Sequence, residues 1–91
     1  MPTYLMLTNL TAEGLRTLKN NPARVTEVNQ EVEQMGGKVV TQYATLGDYD
    51  FVTVIEAPDE RTMAKISVEL GSRGTMNSRT LTAMSVADLT D

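Results

Sequence analysis

The sequence predicts an α+β sandwich with elements in the order β-α-β-β-α-β, a four-stranded antiparallel sheet carrying two helices on one face. Three observations lead there. Four runs are rich in β-branched and large apolar residues: 3–9, 38–46, 51–57 and 77–85. Between them lie two segments of helical period, Val25, Val28, Val32 and Met35 in one and Met63, Ile66 and Leu70 in the other. The middle two runs are separated only by Gly47-Asp48-Tyr49-Asp50, a connection short enough to make them an antiparallel hairpin.

Each element has a local cause. In residues 3–9, Tyr4, Met6 and Thr8 point one way and Leu5 and Leu7 the other, so the strand is apolar on both faces. Thr11 is a helix N-cap, its hydroxyl able to take an orphan backbone N–H. Leu15 and Leu18 follow in a short turn that Asn20-Asn21-Pro22 breaks; Asn21 then caps the next segment, with Pro22 in the first helical position. Val25, Val28, Val32 and Met35 form one helix face, with Glu27, Glu31 and Glu33 mostly off it. Gly36-Gly37 ends that helix, because glycine accepts the left-handed conformation of a C-cap. The third strand places Phe51 and Ile55 on one face and Val52 and Val54 on the other. Pro58-Asp59-Glu60 opens the second helix with Asp59 as its cap, and Gly71 and Gly74 bracket its end. Val86-Ala87-Asp88-Leu89 adds a last turn.

This order is that of the ferredoxin-like sandwich, whose right-handed crossovers put both helices on the same side of the sheet. The first and third strands nonetheless carry large apolar groups on the side the helices leave bare. A second copy, sheet against sheet, is the simplest cover, and a closed two-fold dimer is the commonest oligomer. The 91 residues make a single domain, 1–91. A domain of this size buries only about 60% of the surface its unfolded chain exposes, which also favours self-association.

Composition excludes several functions. The chain has no Cys and no His, so disulfides, thiolate nucleophiles, Cys or His metal sites and His-dependent triads are out. Eight basic residues stand against twelve acidic ones, for a net charge of −4, and the basic ones are scattered. Nucleic-acid binding is not expected of such a chain, because its affinity comes from clustered Lys and Arg on phosphates. The N-terminus has no basic signal region, and no apolar run approaches the roughly 20 residues of a membrane span. A cytoplasmic protein with no membrane association and no cofactor is the expectation.

The segment Leu46-Gly47-Asp48-Tyr49-Asp50-Phe51-Val52, with Glu56-Ala57-Pro58-Asp59-Glu60 after it, resembles the GYD-domain family. Thr80-Leu81-Thr82-Ala83-Met84 is similar to that family's last strand, where Thr-Leu-Arg-Ala is usual; Thr82 stands here in the place of the Arg. The resemblance spans nearly the whole chain. It implies a dimeric α/β-barrel of ferredoxin-like protomers and no particular activity.

Candidate site residues each have two readings. Gly47-Asp48-Tyr49-Asp50 is first a hairpin turn, with positive φ at Gly47 and an aspartate bonding the turn's own backbone. Alternatively, Tyr49 and Asp50 are polar groups at the mouth of a ligand cavity. Glu56 ends an apolar strand: solvated at the rim it is inert, whereas burial would raise its pKa and make it an acid or base. Tyr4, Met6, Tyr43 and Phe51 line one sheet face, as dimer core or as the wall of a pocket for an apolar or aromatic ligand. Arg79 is the basic residue placed to meet an anionic ligand. Asp48, Asp50, Glu56, Asp59 and Glu60 cluster in sequence without metal-loop spacing, and Asp59 and Glu60 are better explained as helix-start residues, so no metal is expected. Gly36-Gly37 and Gly71-Ser72-Arg73-Gly74 each follow a helix rather than open one, so neither is a phosphate loop.

Three functions fit. The first is a homo-oligomeric small-molecule binding or sensing module, using Tyr4, Tyr43, Tyr49, Asp50, Glu56 and Arg79. The second is a protein-interaction or structural module without ligand. The third is a cofactor-independent, monooxygenase-like α/β-barrel enzyme acting on a small aromatic or quinone-like compound. The missing His counts against the enzyme, since His is the usual proton carrier at neutral pH.

Overall fold

Alternating side chains organise the sheet. The computed structural model describes residues 1–91 and contains β1 (Thr3–Leu10), α1 (Ala12–Asn20), α2 (Arg24–Gln34), β2 (Lys38–Ala44), β3 (Phe51–Glu56), α3 (Glu60–Gly71), β4 (Met76–Ala83) and α4 (Val86–Thr90). The strand order is β2-β3-β1-β4, with every neighbouring pair antiparallel. β1 and β3 take the two central places because they are the strands with large apolar groups on both faces. This is the ferredoxin-like α+β sandwich that the residue pattern predicts.

One face of the sheet meets the helices. Tyr4 and Met6 from β1 and Ile55 from β3 pack with Ala57, Val32 of α2 and Met63, Ile66 and Leu70 of α3 in a single core. The periodic residues of both main helices thus reach the core through their expected faces. Gly37 lies so close to the core that a Cβ there would come 2.9 Å from Ile66 Cδ1. Gly14 packs tighter still: a Cβ on it would sit 2.0 Å from the Thr75 carbonyl oxygen. That oxygen also accepts the Thr11 N–H at 3.0 Å, so α1 is drawn against the loop before β4.

The helix ends follow their residues, with one exception. Thr11 accepts the Gly14 N–H at 3.2 Å and Asp59 accepts the Thr62 N–H at 2.8 Å. Gly36 and Gly47 take positive φ, at 101° and 105°. Asn21, expected to cap α2, instead ends α1, its N–H bonded to the Thr17 carbonyl. Pro22 and Ala23 form a turn, and α2 begins at Arg24 with no side-chain cap. Asn21 serves the earlier helix because α1 runs unbroken to Asn20, leaving the Thr17 carbonyl in need of a donor.

Candidate functional site

A β-bulge decides what lies inside and what lies outside. The β2–β3 register shifts between Val39 and Thr41. Val39 pairs with Ile55 on the helix side; one extra residue later, Gln42 pairs with Thr53 on that same side and Tyr43 pairs with Val52 on the other. Without the extra residue, strict alternation from Val39 would turn Tyr43 inward. Tyr43 therefore does not share a face with Tyr4, Met6 and Phe51, and is 63% exposed.

The inward Gln42 joins a polar line inside the sandwich. Asn29 Nδ2 donates to Gln42 Oε1 at 2.9 Å, and Gln42 Nε2 donates to Thr53 Oγ1 at 2.9 Å. Thr53 is buried. These three side chains help line a cavity of about 190 Å³ between the sheet and the α1–α2 layer, partly open to solvent. Most of its wall is apolar, with Leu18, Val25, Val28 and Met76 around the polar line. Arg24 and Arg73 are the charged residues of the lining.

Both arginines are held from outside the cavity. Glu31 accepts from Arg73 on one carboxylate oxygen and from Arg24 on the other, at 3.4 Å. Glu27 and Glu69 lie within ion-pair distance of Arg24 and Arg73, at 3.5 and 3.6 Å. This network ties α2 to the turn after α3. The Arg73 hydrogen bond, more than any other contact, holds the Glu31 carboxyl below the usual glutamate range.

The opposite face of the sheet carries no helix. Leu5, Leu7, Val52 and Val54 are half-buried there, with Leu81 and Tyr43 more exposed beside them. At its end near the hairpin, Tyr49 and Arg79 line an open hollow of about 220 Å³ with Leu7, Asn9, Asn77 and Ser78. Past β4, Met84, Val86 and Leu89 of the C-terminal segment are all exposed.

The sequence candidates thus divide among four places. Tyr4 is in the core on the helix side; its hydroxyl finds no hydrogen-bond partner within the chain. Burial raises its pKa, and the charges of Glu60 and Asp59 raise it further. Asp50 is a staple: its carboxylate accepts the Leu10 N–H at 2.8 Å and its own N–H donates to the Thr8 carbonyl. Tyr43 and Glu56 occupy the open face, Glu56 half-buried opposite Thr3 and Lys38. Only Tyr49 and Arg79 come together. Asp59 caps α3, and the Thr62 backbone bond holds its carboxyl below the ordinary value. The acids of residues 48–60 form no group of three or more metal-ligating side chains. Sequence reading missed Asn29, Gln42 and Thr53, whose convergence depends on the bulge.

No helix is long and apolar enough to cross a membrane. Comparison with known proteins agrees with the fold and extends it. The crystal structures of TTHA0845 from Thermus thermophilus and of FFRP-DM1 superpose with TM-scores of 0.60 and 0.63, each at 20% identity. The first match covers 93% of this chain and 95% of that one; the second covers 92% and 100%. At that identity they establish shared architecture alone. A Thermus thermophilus protein named "Glutamine synthetase and cystathionine beta-lyase binding protein" is 52% identical over 90 residues, covering 98% of this chain and 95% of its own. The family model for the GYD domain matches residues 4–91, and the chain belongs to the GYD domain family.

Proposed function

We propose that this protein is a small binding module for larger metabolic enzymes, working as a pair of copies joined through the open faces of their sheets. The observation that carries the reading is the 52% identity, over nearly all of both chains, to a protein named for binding glutamine synthetase and cystathionine beta-lyase. We infer that the counterparts of these two enzymes in its own host are its partners, and a cytoplasmic location accompanies that inference. The test mixes the purified protein with each host enzyme and follows co-elution in size-exclusion chromatography with light scattering. Co-elution with either enzyme is the expected result. Failure with both at micromolar concentration refutes the reading.

Self-pairing has its own support. Four strands about 4.8 Å apart, each with about six residues at 3.4 Å, span roughly 400 Å². Leu5, Leu7, Val52 and Val54 cluster at the middle of that face with Leu81 and Tyr43 exposed beside them, and no helix covers them. Pairing would leave the helix layer and the exposed Met84, Val86 and Leu89 for the enzymes. Native mass spectrometry, gentle and then denaturing, is expected to show a dimer; a monomer would refute the pairing.

A second reading, that the module also binds or senses a small molecule, is favoured by the helix–sheet cavity with its buried Thr53.

A further inference from the structure

We propose that the helix–sheet cavity takes a small monocarboxylic acid with a one-ring or branched hydrocarbon body. The proposal rests on the second reading above and assigns the ligand's class. Size comes first. The cavity measures about 190 Å³, and a dry apolar cavity of about 150 Å³ holds a benzene ring. A single ring or a branched chain with one small polar group fills the space.

Hydrogen-bonding capacity comes second. Thr53 Oγ1 accepts from Gln42 and keeps its own proton to donate, although the residue is only 4% exposed. The Gln42 amide has two N–H groups and gives one to Thr53; the Asn29 amide has two and gives one to Gln42. The polar line therefore keeps three unused donor hydrogens, one each on Thr53, Gln42 and Asn29, beside the free Asn29 carbonyl oxygen. A buried donor left unused costs free energy, so the wall favours a ligand bearing acceptor oxygens.

Charge comes third. Arg24 and Arg73 are the charges in the lining, whereas Glu27, Glu31 and Glu69 bind them from behind. Guanidinium forks suit carboxylates, and each arginine has more donors than its present partners use. A cationic ligand would meet two positive charges before reaching any carboxylate. The bulge belongs to this design: it brings Gln42, not Tyr43, into the cavity wall.

The experiment uses three ring compounds of nearly equal size: phenylacetate, neutral phenylacetamide and cationic 2-phenylethylamine. Each is titrated into the full-length ¹⁵N-labelled protein and followed by amide shifts. Phenylacetate is expected to move the amides of Val28, Gln42 and Thr53 while Leu7, Val54 and Leu81 on the open face stay fixed. It should bind about tenfold tighter than either analogue, the margin of one charge-assisted contact. Thr53→Val, which keeps the shape and removes the hydroxyl, should weaken phenylacetate about fivefold or more, the loss of one hydrogen bond. Val28→Phe should fill the cavity and abolish binding. Equal affinity for the three compounds overturns the acid assignment and leaves the cavity as a binding site. No shift with any of them at millimolar concentration, or shifts confined to the open face, overturns the site and the second reading together. Thr53→Val binding phenylacetate as tightly as the parent overturns the role of the polar line.

Discussion

Two glycine-to-alanine substitutions in helices should have opposite effects. Gly71, the last residue of α3, is exposed, and a Cβ there meets nothing within 4 Å. Gly71→Ala restricts the unfolded chain at no cost to the folded one, so it should stabilise by about 0.4–1 kcal/mol. Gly14 also lies in a helix, where intrinsic propensity favours Ala by up to about 1 kcal/mol. Its new Cβ, however, would stand 2.0 Å from the Thr75 carbonyl oxygen, with Thr75 C at 3.1 Å and Leu10 Cβ at 3.4 Å also close. The nearest neighbour is backbone, so relief requires α1 to move away from the loop before β4. That movement stretches the Thr11 N–H to Thr75 bond and the bond from the Thr11 hydroxyl to the Gly74 carbonyl, at 3.0 and 2.8 Å. Overpacking of this kind costs about 1–3 kcal/mol, and each weakened hydrogen bond costs about 0.5–1.5 kcal/mol. The net expectation for Gly14→Ala is about 1–5 kcal/mol of destabilisation after the propensity gain is subtracted. Urea unfolding of the three proteins at one fixed concentration measures this; a common concentration is needed because self-pairing would make stability depend on it. The midpoints should rank Gly71→Ala, parent, Gly14→Ala with similar slopes. A Gly14→Ala protein as stable as the parent would refute the close approach of α1 to the Thr75 carbonyl.

Other outcomes follow from the same contacts. Asp50→Ala, which removes the carboxylate that accepts the Leu10 N–H at 2.8 Å, should destabilise by about 1.5–3 kcal/mol, the range for a charged hydrogen bond. Its Leu10 amide should exchange with solvent faster than in the parent, and unchanged exchange would contradict the staple. Glu31 has a depressed pKa in the folded protein, so its stabilisation is fully present above the ordinary glutamate value of 4.5 and is lost as pH falls through the folded value. Glu31→Gln should therefore be less stable than the parent at neutral pH, with the gap closing in acid below about pH 4.5. A gap that stays constant across that window would refute the Arg73–Glu31 bond as its cause. Leu7→Lys places a charge on the open sheet face, so it should turn a dimer into a monomer in light scattering while far-ultraviolet circular dichroism stays unchanged. A persistent dimer would mean that the copies meet elsewhere.

Local chemistry made most of the fold legible. Thr11 and Asp59 act as caps because a side-chain oxygen beside orphan N–H groups has little else to do. The helix periods place Val32, Met63, Ile66 and Leu70 in the core without knowledge of their partners. Asn21 is ambiguous in sequence because a single polar residue between two helices can end one or start the other; the hydrogen-bond need of α1 decides it. The site was less legible. Asp50 reads from sequence as a residue that bonds its own turn, yet its carboxylate reaches the end of β1, forty residues away. Tyr43 looks like a partner for Tyr4 by alternation, and a residue inserted near Val40 sends it to the other face.

The sequence by itself determined the element order, the helix faces and the presence of large apolar groups on both sides of the sheet. Those properties depend on spacing along the chain, and spacing is what a sequence records. Tertiary structure alone decided where Gln42, Asn29 and Thr53 meet and where Arg24 and Arg73 share Glu31. Their convergence requires a bulge and the packing of α2 and the end of α3 against the sheet. The bulge leaves only a weak local signal, because β-branched residues such as Val39, Val40 and Thr41 suit a regular strand and a bulged one equally. The pairing register with β3 selects between the two, and that register is set by burial across the whole sheet.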